Sequence, residues 1–290
     1  MNGGDLVYLA RTRGGLTQAQ LGARAGVAQN AISRIERGEV DPGFVTVQRL
    51  VRACGFEPVV TLATRDNSYA RDVRRLLRLT PMQRLEQSTQ LARAAQSTRR
   101  AAVEGTTVRD RAAPRSPPPE QRATLVMSAE RHGNWQDWPF DPLHVLCAFA
   151  DAEVEYVLVG GLAAVLQGSP IPTYDIEMVP APGKRNRARL LAALAALDGI
   201  SLTDVDDVDQ ALAESTDLAF TTPSGHIDVH HGAPGLMGHR ELRRCARAIT
   251  LEPGLVVQAL SLRDIIRSRM AAGSSRHLPA LETVLELSRP

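Results

Sequence analysis

The chain has 290 residues, about twice what one domain needs, so two domains are expected. Hydrophobic residues at 43% and charged residues at 23% exclude collagen-like and wholly disordered chains; no run approaches the ~20 apolar residues of a membrane span, and the start lacks the pattern of a signal peptide. The formal charge of +2 conceals a split: Lys and Arg outnumber Asp and Glu 21 to 13 over residues 1–140 and are outnumbered 19 to 13 over 141–290, so the first half suits a polyanion and the second a cation-dependent site.

Residues 6–10, 16–25, 28–37 and 44–54 carry helical spacing broken by Gly or Pro, which predicts four or five short helices in the first 55 residues. Thr17, ahead of Gln18 and Gln20, is the expected N-cap of one of them. Glu57 to Leu62 reads as a short strand, and Tyr69–Leu79 and Pro81–Val103 as two helices, the second opened by Thr80 with proline in its first position. From residue 105 to about 138 the composition turns to Arg, Ala, Ser and Pro, a linker made semi-rigid by Ser116-Pro117-Pro118-Pro119. Asp141-Pro142 caps a helix running to about Ala152. Tyr156 to Val159 is a buried-strand signal, stopped by Gly160-Gly161 and followed by a helix over Leu162–Gln167. The implied organisation is a helical domain over 1–62, a helical extension over 63–104, the linker over 105–138 and an α/β domain over 139–290, an α+β chain as a whole. Cys54, Cys147 and Cys245 are odd in number and widely separated, so they read as buried thiols of a reducing, cytoplasmic compartment.

Between Thr17 and Gly38 two helices meet at Gly26. Leu21, Ala25, Val27, Ile32 and Ile35 fall on a shared inner side, leaving Gln18, Gln29, Asn30, Ser33, Arg34 and Arg37 outward. Gln and Asn in the first turn of a helix offer the paired donor and acceptor that read adenine edges in a major groove, and Arg supplies guanine or phosphate contacts. The turn glycine, the apolar spacing and Ile32-Ser33-Arg34-Ile35-Glu36-Arg37-Gly38 together resemble the helix-turn-helix of the phage-repressor type over residues 4 to 55. The resemblance implies binding to a double-stranded DNA operator as a homodimer; the interface is not legible in the sequence, the helices between Tyr69 and Val103 being candidates. Ala28 stands where the family has a hydroxyl cap, a departure costing about 1 kcal/mol of helix stability. The other reading is a helical bundle that only dimerises.

In the second domain, alternation over Thr173–Val179 puts Asp175 and Glu177 on one face of a strand, and over His226–His230 it puts Asp228 opposite Ile227 and Val229. Were neighbouring strands to align these faces, like-charge repulsion of about 4 kcal/mol per pair at ~4 Å would call for protons or divalent cations, magnesium being the natural one. The glycine turn would suit a polyphosphate. His226, Asp228 and His230 could instead ligate zinc, and Asp175 and Glu177 could be a solvated face. The acidic run Asp204–Asp209 lacks the glycine of a calcium loop and reads as a solvated loop.

The order of these features, with Val159-Gly160-Gly161-Leu162 and Gly168-Ser169-Pro170-Ile171-Pro172-Thr173-Tyr174-Asp175-Ile176-Glu177, resembles the polymerase-beta-type nucleotidyltransferases, above all the minimal ones acting as toxins in bacterial toxin–antitoxin and phage-defence systems, over residues 140 to 288. The resemblance implies two Mg2+ ions, or Mn2+, on Asp175, Glu177 and Asp228, and an NTP held by Gly160, Gly161, Thr173, Arg269 and Arg276. Transfer of NMP to an RNA such as tRNA, or to a protein, would follow. Gly161 stands where many members have serine, Ile171 where relatives have arginine, and Arg269 where they have lysine; Ser274-Ser275-Arg276-His277 replaces an Arg-x-Lys-Asp element. These departures admit a regulator whose second domain only senses a nucleotide or binds a partner. The chemistry of antibiotic adenylylation is a third reading, disfavoured by the DNA-binding half.

Overall fold

The computed structural model describes residues 3–59, 67–104, 139–235, 238–274 and 277–288. The expected linker over 105–138 and Arg276 lie outside them. Four helices open the chain: α1 (Gly3–Arg13), α2 (Gln18–Ala25), α3 (Gln29–Arg37) and α4 (Phe44–Ala53). Their apolar faces meet in one core of Val7, Leu21, Ile32, Ile35, Val47 and Leu50, with Ala25 and Val27 packed at its margin. Thr17 caps α2 in a capping box: its hydroxyl accepts from the Gln20 amide at 3.2 Å, and the Gln20 side chain accepts from the Thr17 amide at 2.8 Å. Gly26 ends the helix in the left-handed region at φ 64°, and its amide donates to the Gly22 carbonyl. Ala28 makes no side-chain cap at the start of α3.

The strand expected at 57–62 is not formed over its described residues, 57–59. Glu57 is instead drawn back to Arg52 at 2.7 Å, and Pro58 removes a ladder donor. The helices α5 (Ala70–Leu77) and α6 (Pro81–Glu104) do form, the second with Thr80 and Gln83 in a capping box. Their apolar side chains Val73, Leu76, Leu85 and Ala92 are buried. Val73, Leu85 and Ala92 belong to the core of the C-terminal domain, and Arg84 donates to the Leu166 carbonyl at 2.8 Å.

That domain is a seven-stranded mixed sheet. In chain order it comprises α7 (Pro142–Asp151), β1 (Tyr156–Leu158), α8 (Gly160–Leu166), β2 (Asp175–Pro180), α9 (Lys184–Ala196), β3 (Ile200–Ser201), α10 (Val208–Ala213), β4 (Leu218–Thr222), β5 (Gly225–Val229), α11 (Gly238–Cys245), β6 (Ala246–Glu252), β7 (Leu255–Leu260), α12 (Leu262–Ala271) and α13 (Leu278–Leu287). The strand order is β3-β4-β5-β2-β1-β7-β6. β2 runs parallel to β5 and β1 parallel to β7, and the other neighbours are antiparallel. The protein is therefore α+β, a helical unit followed by a mixed sheet covered by helices. Asp141 caps α7 by accepting from the His144 amide, and Ser261 caps α12 by accepting from the Asp264 amide. Asp207 likewise caps α10, and Asp209 pairs with Arg187 at 2.6 Å, so two carboxylates of the acidic run are structural.

The units are joined through α12. Asp5, buried in the first turn of α1, accepts from Arg263 Nε at 2.7 Å and from Arg267 Nε at 2.9 Å. The same two guanidinium groups reach the end of α3: Arg267 donates to the Glu36 carbonyl, and Arg263 to the Arg37 carbonyl at 2.5 Å. Those are last-turn carbonyls without helical partners, at the negative end of the helix dipole. Arg267 also lies over the Tyr8 ring at 4.4 Å, and Tyr8 donates to the Gly235 carbonyl at 2.6 Å. Burial pushes the Tyr8 phenol above its ordinary range.

Candidate active-site face and nucleic-acid interface

The β2–β5 register decides the geometry of the acidic face. Asp175 pairs with His226, Ile176 with Ile227 and Glu177 with Asp228. Paired positions of adjacent strands share a face, so Asp175, Glu177, His226 and Asp228 stand together, while Ile176, Met178, Ile227 and Val229 are fully buried on the other side. Apolar burial on one face, worth about 1.5–3 kcal/mol per large side chain, thus fixes the carboxylates on the opposite one.

Each carboxylate has a partner. Thr173 donates its hydroxyl to Asp175 Oδ1 at 2.5 Å, the Gly161 amide donates to Glu177 Oε2 at 2.9 Å, and His226 Nε2 lies 2.9 Å from Asp228 Oδ1. The glycines of the turn are explained by this packing. A Cβ on Gly160, which has φ +61°, would fall 1.6 Å from Glu177 Oε2; one on Gly161 would fall 2.5 Å from Thr173 Oγ1. The Gly161 amide, expected at a polyphosphate, is thus taken by Glu177, and the Thr173 hydroxyl by Asp175. Burial holds the Asp175 carboxyl above the usual carboxylate range, with the charge of Asp228 adding to the effect against the Thr173 hydrogen bond. Burial likewise raises Glu177, reinforced by Asp175. The charges of His230 and Arg269 act on Glu177 in the other direction, favouring its ionised form, and the buried Nε of Arg269 on α12 has no hydrogen-bond partner among the described residues. His230 is itself held by Asp217 at 3.1 Å.

Among the described residues no three His, Cys, Asp or Glu side chains are grouped so as to hold one metal ion. The acidic face has the all-oxygen donor set that a hard cation takes, but its carboxylates are engaged by Thr173, Gly161 and His226 rather than arranged as a closed cage. Completing one requires Asp228 to leave His226 and Glu177 to leave the Gly161 amide.

On the helical unit, Gln29, Asn30, Arg34 and Arg37 are exposed along α3, and Ser33 is half-buried. Arg37 donates to Ser33 Oγ at 2.5 Å and to Glu39 at 2.6 Å, and Arg34 lies 3.5 Å from Glu39. Gln18 is not a free outward side chain as expected. Its Nε2 donates to Glu36 at 2.8 Å and its Oε1 accepts from Gln29 at 2.8 Å, while the buried Glu36 is gripped by Arg11 at 2.6 and 2.9 Å. Sequence reasoning missed this Arg11–Glu36–Gln18–Gln29 chain and the Asp5–Arg263–Arg267 clamp. The spacing of Arg263 and Arg267, four apart on one side of a helix, was the available signal for the clamp.

Residues 7–60 match the family model described as helix-turn-helix, which covers less than a fifth of the chain. No curated protein matches the sequence. Among solved structures the chain is similar to the antibiotic-resistance factor ANT(2'')-Ia, at 16% identity over 57% of this chain and 84% of that chain, with a TM-score of 0.36. No helix among the described residues is long and apolar enough to cross a membrane.

Proposed function

We propose that this protein is a DNA-binding regulator whose sheet domain is a nucleotidyltransferase of the polymerase-beta type, moving NMP from an NTP to an RNA or protein hydroxyl in a toxin–antitoxin-like setting. The observation that carries the reading is the β2–β5 register, which sets Glu177 beside Asp228 and Asp175 on the same face, next to the glycine turn. Asp175, Glu177 and Asp228 would hold Mg2+, which when bound supplies charge neutralisation for the triphosphate. In the reaction the acceptor oxygen bonds to the α-phosphorus, the bond to the β-phosphate oxygen breaks, and pyrophosphate leaves. Asp228, released from the His226 ring that holds it in the cation-free site, would take the acceptor proton. Arg269 would face the triphosphate charge. The helix-turn-helix would bind an operator, as a dimer on paired half-sites, and repress its own promoter. The test is incubation of the full-length protein with each α-labelled NTP, Mg2+ and either total RNA or lysate. Wild type is expected to transfer label to RNA or protein and Asp175→Asn to lose it; equal label with both contradicts the reading.

A second reading, a regulator that senses the nucleotide without turnover, is favoured by α12. This helix carries Arg269, whose charge is felt at Glu177, and, through Arg263 and Arg267, clamps the end of α3. A ligand that pulls on Arg269 would shift the operator affinity of α3 by differential binding to two placements of α12. Operator titration with and without a non-hydrolysable triphosphate, alongside pyrophosphate release, separates the two: altered affinity without release supports sensing, and release supports transfer.

A further inference from the structure

Helix α5 carries cations on one side and apolar groups on the other. With about 3.6 residues per turn, Arg71, Arg74, Arg75 and Arg78 share an arc of about 100°, opposite Val73 and Leu76. All four arginines are exposed, while Val73 and Leu76 are buried. Val73 belongs to the core of the sheet domain and not to that of the helix-turn-helix, so the row of guanidinium groups is fixed on the outside of the sheet domain.

Among the described residues this row is not neutralised. Arg75 lies 3.7 Å from Asp72 in an exposed pair, and Arg71, Arg74 and Arg78 make no ion pair or side-chain hydrogen bond there. The four stand three or four residues apart, where like charges repel and destabilise a helix. The helix dipole does not explain them either. Arg71 sits in the first turn, where a cation is disfavoured, and at the other end the Leu76 and Leu77 carbonyls already accept from Arg84, at 2.9 and 3.3 Å. A row of mutually repelling, exposed cations suits a chain of regularly spaced anions. A membrane surface fits it poorly, because the apolar side of α5 is spent on the core.

The place of α5 in the fold says which polyanion. Arg84 also donates to the Leu166 carbonyl at 2.8 Å, and Leu77 abuts Gly168, so α5 is fastened to the end of α8. The other end of α8 is the glycine turn against Glu177, and the helix between them is about 10 Å long.

We infer that Arg71, Arg74, Arg75 and Arg78 of α5 dock the phosphate backbone of a single-stranded RNA beside the acidic face. The inference deepens the proposed transferase and rests on it for identifying this RNA as the acceptor; the docking itself needs neither NTP nor Mg2+.

Fluorescence anisotropy of an end-labelled oligouridylate of about 20 nucleotides, with the full-length protein and without NTP or Mg2+, tests docking separately from transfer. The variant combines Arg71→Gln, Arg74→Gln, Arg75→Gln and Arg78→Gln, and its melting temperature should match wild type because all four side chains are exposed. Each phosphate contact on a single strand adds about 0.7 to the slope of log affinity against log salt. The variant is therefore expected to lose about 2 to 3 from that slope and to bind at least about 10-fold more weakly near 0.1 M salt. Binding of an operator duplex, carried by α3, should not change. A control combining Arg240→Gln, Arg243→Gln, Arg244→Gln and Arg247→Gln removes as much exposed charge elsewhere and should keep the wild-type slope. Unchanged RNA affinity and slope in the α5 variant overturns the inference. An equal loss in the control, which would make net charge the cause, also overturns it, as does an equal loss of operator binding, which would make α5 a DNA surface. Loss of RNA binding in the α5 variant, in a protein that transfers no label, upholds the docking and removes the transferase reading alone.

Discussion

At Asp175 and Glu177 the chain keeps acidic side chains where burial and mutual repulsion disfavour their charge. A carboxyl whose pKa is raised on folding adds most stability when protonated, and that contribution falls away as pH climbs from the unfolded value through the folded one. Asp175→Asn, which still accepts from Thr173, should therefore raise the melting temperature of the cation-free protein near pH 7.5 by about 2–4 °C, or about 1 kcal/mol, with the gain shrinking toward pH 4. A scan at both pH values checks this; a drop at pH 7.5 would contradict it. Gly160 is bound by a steric limit instead. Gly160→Ala asks for a side chain at φ +61° and for the space of Glu177 Oε2, and is expected to lose about 2 kcal/mol or more in denaturant unfolding.

At the scale of elements, α3 is held from both ends. At its start the Gln18 amide steadies Gln29, and this chain of hydrogen bonds ends on the buried Arg11–Glu36 pair. Gln29→Ala should weaken operator binding by about 10- to 100-fold, the worth of a bidentate adenine contact, and Gln18→Ala by a smaller factor through loss of positioning. Gel-shift titrations of both variants check the order. At its end, α3 rests on Arg263 and Arg267. Removing Arg267 leaves Asp5 with one guanidinium, strips the Glu36 carbonyl and uncovers Tyr8, so Arg267→Ala should cost about 2–3 kcal/mol and let a protease cut between the units more readily. Unchanged melting and unchanged proteolysis would argue against the clamp.

For the whole molecule, much of the architecture was legible because it is local. Thr17, Gly26, Thr80 and Asp141 act through the nearest turn of backbone, and the apolar stripe of α2 and α3 states its own core. The pairing of β2 with β5 was legible only as a condition, since some fifty residues separate Asp175 from Asp228. Strands β4, β6 and β7 escaped, each being a run that alternation alone does not distinguish from its surroundings, as with the exposed positions of β6. Partners set by tertiary contact were also hidden: nothing adjacent to Gln18 reveals Glu36, and nothing adjacent to Asp5 reveals α12. For the same reason the glycine turn was readable as a close approach but not as an approach by Glu177.

The account turns on whether Asp175, Glu177 and Asp228 share a cation. Crystals of the full-length protein soaked with Mn2+ and a non-hydrolysable triphosphate measure it through the anomalous signal of manganese. The expected result is a peak among the three carboxylates, with Glu177 released from the Gly161 amide and Asp228 from His226. A map with the triphosphate absent, no manganese on this face, and all three side chains still on their present partners would contradict the account.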